Sequence, residues 1–204
     1  MTTTTTALMA LVCLLTVHAA TAFNLVTVGS TFKLMNKQHK VRLHSHEVQY
    51  GSGSGQQSVT GIRKAEDGNS YWLVRSPTDE HLSRGSAIKC GQKLRLTHVN
   101  TMSNLHSHRF QAPLTSRALE VSCFGTDGEG DELDHWKVEC AGPHWLRDQF
   151  VSFRHVETGA KLACSSKSFG RPIPGQHEIF AKERDDDSAQ WQVAEGVFVK
   201  PVDE

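Results

Sequence analysis

The chain lacks any run long enough to cross a membrane. Its longest uncharged apolar stretch, residues 7–17, has 11 residues, and a hydrocarbon layer needs about 20. It also lacks net charge, with 22 basic and 22 acidic residues. No long-range field attracts a polyanion, so nucleic acid is not an expected partner. There is no Asn-x-Ser/Thr acceptor for an N-glycan. His-Glu-x-x-His and Cys-x-x-Cys are both missing, and no nucleophile motif carries a placed base. The glycine-rich stretch 51–55 has neither the lysine nor the helix start of a phosphate loop. It reads as a turn that needs positive φ and close backbone approach. No catalytic residue, metal or cofactor is implied. A helical period of 3.6 does not persist anywhere after the first 22 residues, which leaves strands and turns.

Those first 22 residues contain no Asp, Glu, Lys or Arg. A threonine run leads into the apolar stretch, and Ala20-Thr21-Ala22 has the small-residue pattern of a cleavage site. Residues 1–22 are therefore expected to be a signal peptide, and residues 23–204 one mature domain. Cys13 leaves with the leader. The remaining Cys90, Cys123, Cys140 and Cys164 form an even set, as an oxidising compartment would favour.

The mature chain repeats itself. Phe32-Lys33-Leu34-Met35-Asn36, Leu94-Arg95-Leu96-Thr97-His98 and Val151-Ser152-Phe153-Arg154-His155 each alternate apolar and polar residues, as strands with one buried face do. Eight residues beyond Asn36, His98 and His155 come His44, His106 and Ala163, preceded by Leu43, Leu105 and Leu162. Val59, Val121 and Ile179 follow 15, 15 and 16 residues later. Each unit then reaches a tryptophan: Trp72, Trp136, Trp191. Units of about 60 residues cannot bury an apolar face alone, but three around an axis share one core. The expected fold is all-β, a closed β-trefoil with repeats at about 23–80, 81–141 and 142–200. The three leucines and three tryptophans are expected in its core. The acidic stretches at 129–132 and 185–187 read as solvated turns, and the tail 200–204 as loose.

The residues that carry the repeat also resemble a known family. Val41-Arg42-Leu43-His44-Ser45-His46 and Tyr50-Gly51-Ser52-Gly53-Ser54-Gly55-Gln56-Gln57-Ser58-Val59-Thr60-Gly61 are similar to stromal cell-derived factor 2 proteins. So are Cys90-Gly91-Gln92, Leu94 through Thr101, Asn104-Leu105-His106-Ser107-His108 and Gly170-Arg171-Pro172-Ile173. The likeness covers about residues 23–200. It implies three MIR motifs, a β-trefoil, and a non-catalytic subunit in the endoplasmic reticulum lumen. The implied partners are a J-domain co-chaperone, the luminal Hsp70 and unfolded client polypeptides. Animal members of that family usually end in a retention tetrapeptide, whereas this sequence stops at Asp203-Glu204, so secretion stands as the alternative location. A secreted or luminal carbohydrate-binding module, taking a glycan, is the alternative function.

His44-x-His46 and His106-x-His108 each put two imidazoles on one strand face. Zinc would need a third and fourth ligand, and the sequence fixes none beside them. A polar surface patch is the expected role. Arg42, His44, His46, Tyr50, Gln56, Gln57, His106 and His108 are the candidate contacts for a partner or ligand. Cys90 opens the second unit and Cys140 closes it. The ends of a unit lie near one another in a closed trefoil, and the resemblance implies the same Cys90–Cys140 bond. Cys123 and Cys164 remain open between a second bond and two buried thiols.

Overall fold

The computed structural model describes residues 24–202, so the expected leader lies outside the described residues. Twelve strands form one antiparallel sheet. Each unit supplies four: β1 (Thr31–Asn36), β2 (Arg42–Gln49), β3 (Gln57–Ile62) and β4 (Trp72–Arg75) in the first, then β5 (Lys93–His98), β6 (Asn104–Gln111), β7 (Leu119–Phe124) and β8 (Trp136–Glu139) in the second. The third has β9 (Ser152–His155), β10 (Lys161–Ser168), β11 (His177–Lys182) and β12 (Trp191–Val197). The first and last strands of the units pair in a closed circuit, β1–β4–β5–β8–β9–β12–β1, with the β9–β12 step made by the Val151–Trp191 bridge. The middle strands form three hairpins. Their inner strands β3, β7 and β11 all pair with one another and cover one end of the circuit.

The other end closes through the backbone. Val26 N–H donates to Trp145 O at 2.9 Å, Trp145 N–H to Ile88 O at 2.9 Å, and Ile88 N–H to Val26 O at 3.0 Å. The ring contains one residue from each unit and leaves no edge for another chain to extend.

The core is the expected one. Leu43, Leu105 and Leu162 are fully buried, as are Trp72, Trp136 and Trp191 and the triad Val59, Val121 and Ile179. A buried indole needs an acceptor, and each unit meets that need identically. Trp72 Nε1 donates to Leu43 O, Trp136 Nε1 to Leu105 O, and Trp191 Nε1 to Leu162 O, all at 2.9 Å.

The units also hook onto their neighbours. His98 Nε2 donates to Asn69 O at 3.0 Å and His155 Nε2 to Leu133 O at 2.8 Å. Asn36 Nδ2 donates to Ser188 O at 2.7 Å. Each of these carbonyls lies three residues before a core tryptophan, on the preceding unit. The short 3-10 turns Gly68–Ser70, Glu132–Asp134 and Asp187–Ala189 present them.

Two expectations change. The acidic stretches are not simply solvated. Asp131 and Asp186 are only partly exposed and cap 3-10 turns, because those turns leave N–H groups unpaired, and Asp134, two residues past the first stretch, is fully buried. The tail is tied at residue 202, where Val202 N–H bonds Gly85 O at 3.1 Å.

Cys90 and Cys140 are disulfide-bonded, with Cα atoms 5.3 Å apart. Cys123 and Cys164 are buried free thiols, and burial pushes both up to about 12. They occupy different places in their units: Cys123 lies on β7, against Ser45 Oγ at 3.4 Å, whereas Cys164 lies on β10.

Three outcomes are expected. Trp136→Phe keeps the aromatic volume but orphans the buried Leu105 carbonyl, and should cost about 1–3 kcal/mol in urea unfolding. Thiol titration of the oxidised mature protein should find no reactive thiol in the native state and two after denaturation. Replacing Cys90 and Cys140 together by serine should cost roughly 4 kcal/mol in the chain-entropy account, read from the same unfolding curves.

Candidate functional site

The sequence-level candidates lie on β2, β3 and β6 and on the loop between β2 and β3. Half of them face inward. His44 is 5% exposed, and its Nδ1 lies 2.9 Å from Asp67 Oδ2. His106 is 2% exposed, with Nδ1 2.9 Å from Asp134 Oδ1. His108, 8% exposed, has Nε2 3.2 Å from Glu120 Oε1. Neither of its ring nitrogens makes an aligned hydrogen bond, so proximity there is not pairing. The Tyr50 hydroxyl is buried, accepts from Val59 N–H, and shares its proton between Val59 O and Val121 O at 3.0 Å each. The expected exposed patch therefore does not exist at His44, Tyr50, His106 or His108. Alternation on β2 and β6 turns the His44 and His106 rings toward the 3-10 turns of their units, where Asp67 and Asp134 receive them.

The other candidates are partly accessible but also bonded. Gln56 Oε1 accepts from Ser122 Oγ at 2.6 Å, and Gln57 Nε2 donates to Ser45 Oγ and Thr101 Oγ1 at 2.8 Å. Both reach across to the second unit. Arg42 pairs with Glu195 at 2.8 Å, joining the first unit to the third. His46 is half-buried, 5.1 Å from the His44 ring, and burial followed by His44 lowers its pKa. It lines a polar cleft of about 270 Å³ with Asn69, Asn100 and Thr101. These residues do not converge on one centre; most of them strut one unit against the next.

The glycine-rich loop is a close approach. Gly53 has φ +67°, and a Cβ there would overlap Glu120 Oε2. Ser54 Oγ donates to the same fully buried carboxylate. The next hairpin repeats the arrangement: Leu114 N–H and Thr115 Oγ donate to Glu178 at 2.6 Å each. The third closes with Thr60 Oγ bonded to Gln176 Oε1.

One cluster has the residue types of a metal site: ligand atoms of His106, Asp131 and Asp134 lie within 4.8 Å of one another. Its oxygens are engaged by the protein. Asp134 Oδ2 accepts from Asp131 N–H at 3.0 Å and Asn104 Nδ2 at 3.1 Å, and Asp131 Oδ1 from Leu133 N–H at 2.9 Å. The arrangement is a capping box.

Sequence reasoning missed a cleft of about 710 Å³ between β4 and the loop of residues 76–85. Arg75, Arg84 and Arg95 line it. The available signal was spacing: sixteen positions separate Trp72 from Ile88, but nine separate the equivalent Trp136 and Trp145.

The hooking histidines set a pH dependence. Burial lowers His98 to about 4 and lowers His155. A carbonyl can only accept, so Nε2 carries the proton and Nδ1 accepts from Thr101 Oγ at 2.8 Å. The unfolded imidazole takes up a proton near pH 6.5, while the folded one does so only near pH 4, so stability falls as pH drops through that window. The His98 share is roughly 3 kcal/mol. Urea midpoints taken between about pH 7 and 4 should decline accordingly. His98→Asn, which copies the Asn36 hook, should flatten the slope.

A family model described as "MIR domain" matches residues 33–141. The chain is 52% identical over 180 residues to stromal cell-derived factor 2-like protein 1 of Bos taurus, covering 88% of this chain and 81% of that one. It is 51% identical over 182 residues to stromal cell-derived factor 2 of Homo sapiens, covering 89% and 86%. The crystal structure of the SDF2-like protein from Arabidopsis thaliana superposes with a TM-score of 0.84 at 42% identity, covering 88% of this chain and 99% of that one.

Proposed function

The chain belongs to the stromal cell-derived factor 2 family, and on that premise we propose that it is a β-trefoil of three MIR repeats serving as a non-catalytic co-chaperone subunit in the endoplasmic reticulum lumen. It holds a J-domain protein and the luminal Hsp70 together with unfolded clients, in protein folding quality control and the unfolded protein response.

The observation that carries this reading is where the polar chemistry goes. Nearly every candidate side chain is bonded internally, between units or to a capping turn. A site so engaged makes a rigid platform and offers no group poised for turnover. The three cyclic hydrogen-bond sets support the trefoil. The Cys90–Cys140 bond supports an oxidising lumen. Among the described residues no helix is long and apolar enough to cross a membrane. The contact surface then falls to side chains that stay exposed, such as Phe110 at 54%, beside the His106–His108 pair. His46, Arg42, Gln56 and Gln57 remain partly accessible polar groups elsewhere on the surface.

Crosslinking the mature chain in its own compartment should recover a J-domain protein and the luminal Hsp70 by mass spectrometry. Recovery of neither overturns the reading. The polar cleft beside His46, Asn69, Asn100 and Thr101 favours the second reading, a glycan-binding module. Saturable, competed signals on a glycan array would support that reading in place of the first.

A further inference from the structure

The first junction between units, β4–β5, departs from the second, β8–β9, in a way the barrel does not require. Arg75 on β4 and Arg95 on β5 are register partners across the sheet. Like charges set opposite each other destabilise a sheet. At the corresponding register of the next junction Glu139 stands opposite Ser152. The seven extra residues between Trp72 and Ile88, judged against the Trp136–Trp145 spacing, form the loop that walls the cleft over these arginines.

Arg95 is held by backbone carbonyls and makes no direct ion pair. It is 6% exposed, and its Nε and Nη1 donate to Ser76 O at 2.8 Å and Gly128 O at 2.7 Å. Arg75 lies over Gly128, which has φ +78° and no room for a Cβ beneath the guanidinium. Its one hydrogen bond is a 3.4 Å contact to Asp127 O. Arg84 stands exposed on the opposite wall. Among the described residues no carboxylate forms an ion pair with Arg75, Arg84 or Arg95. The nearby Asp134 is already engaged by His106, Asn104 and the Asp131 N–H.

The wall is also fixed in place. Thr78 N–H donates to His135 Nε2 at 3.0 Å, Lys93 pairs with Asp79 at 2.6 Å, and Ser76 Oγ exchanges 3.0 Å bonds with Leu82. Unpaired guanidinium groups in a preformed cleft suit a planar oxyanion held by paired N–H donors. Glu80 and Glu129 also line the cleft and disfavour a polyanion. Leu73 and Leu82 on the wall favour an apolar neighbour beside the charge.

We propose that the Arg75–Arg95 cleft is a peptide-binding site that captures one carboxylate of an extended polypeptide, with an adjoining apolar side chain lying on Leu73 and Leu82. This goes beyond the partner assignment, and its test uses the isolated mature chain, so either can fail alone.

The probes are a short acetyl-capped peptide with a central glutamate between leucines, its glutamine isostere, and inorganic phosphate. Titrations are followed by NMR of the arginine Nε–H resonances. The glutamate peptide should shift Arg75 and Arg95 and bind about tenfold more tightly than the isostere, the worth of one charge-assisted bond. Arg75→Gln should remove that preference, and Arg75→Lys should weaken it, with unchanged urea midpoints showing intact folding. Should Arg75→Gln fail to fold, the peptide pair on the unaltered protein decides. Equal affinity for glutamate and glutamine overturns the site. Phosphate binding that the peptide cannot displace overturns the carboxylate assignment.

Discussion

A ring of backbone hydrogen bonds from Val26 to Trp145 to Ile88 and back to Val26 is the constraint on which the other contacts depend. None of the three residues can satisfy its partners within its own unit. The same holds for the hooks: Asn36 needs a carbonyl of the third unit, His98 one of the first, and His155 one of the second. A buried amide or imidazole without its partner costs about 1–3 kcal/mol. The three-unit arrangement is thus held together by polar groups that have nowhere else to go, while the Leu43, Leu105 and Leu162 layer supplies the apolar burial.

That logic explains why so many histidines are inside. Polar strand residues in this chain close one unit on another, and His44 and His106 brace the capping turns of their own units through Asp67 and Asp134. The third unit has Ala163 at that place, and its capping Asp186 takes Lys182 instead, at 2.7 Å. Burial raises Asp186, but the bonds from Lys182 and Ser188 outweigh it and hold the carboxyl down to about 2. One capping job has two chemical solutions, and only one of them uses an imidazole.

The architecture was legible because its signals are periodic. Leu43, Trp72 and Val59 recur at nearly constant offsets, and offsets survive divergence that blurs residue identity. The buried state of His44, His106 and Tyr50 was not legible, since a polar residue on a strand reads as outward-facing until the group opposite it is known. Asp67 lies 23 positions beyond His44, and no local pattern joins them. The Arg75–Arg95 cleft was hidden differently. Its residues belong to two strands and a loop, and what marks it is a failure of the repeat, which a search for sameness passes over.

The pairing of β1 with β12 has a consequence for how the chain is made. A ribosome adds roughly 5–20 residues per second. The first strand therefore waits on the order of 10–30 s, at that pace, for the last one to emerge. Through that interval the side of β1 that β12 will occupy has no permanent partner, and slow long-range pairing is the situation in which nascent chains clump. A protein proposed to attend other unfinished polypeptides must itself be attended during its own synthesis.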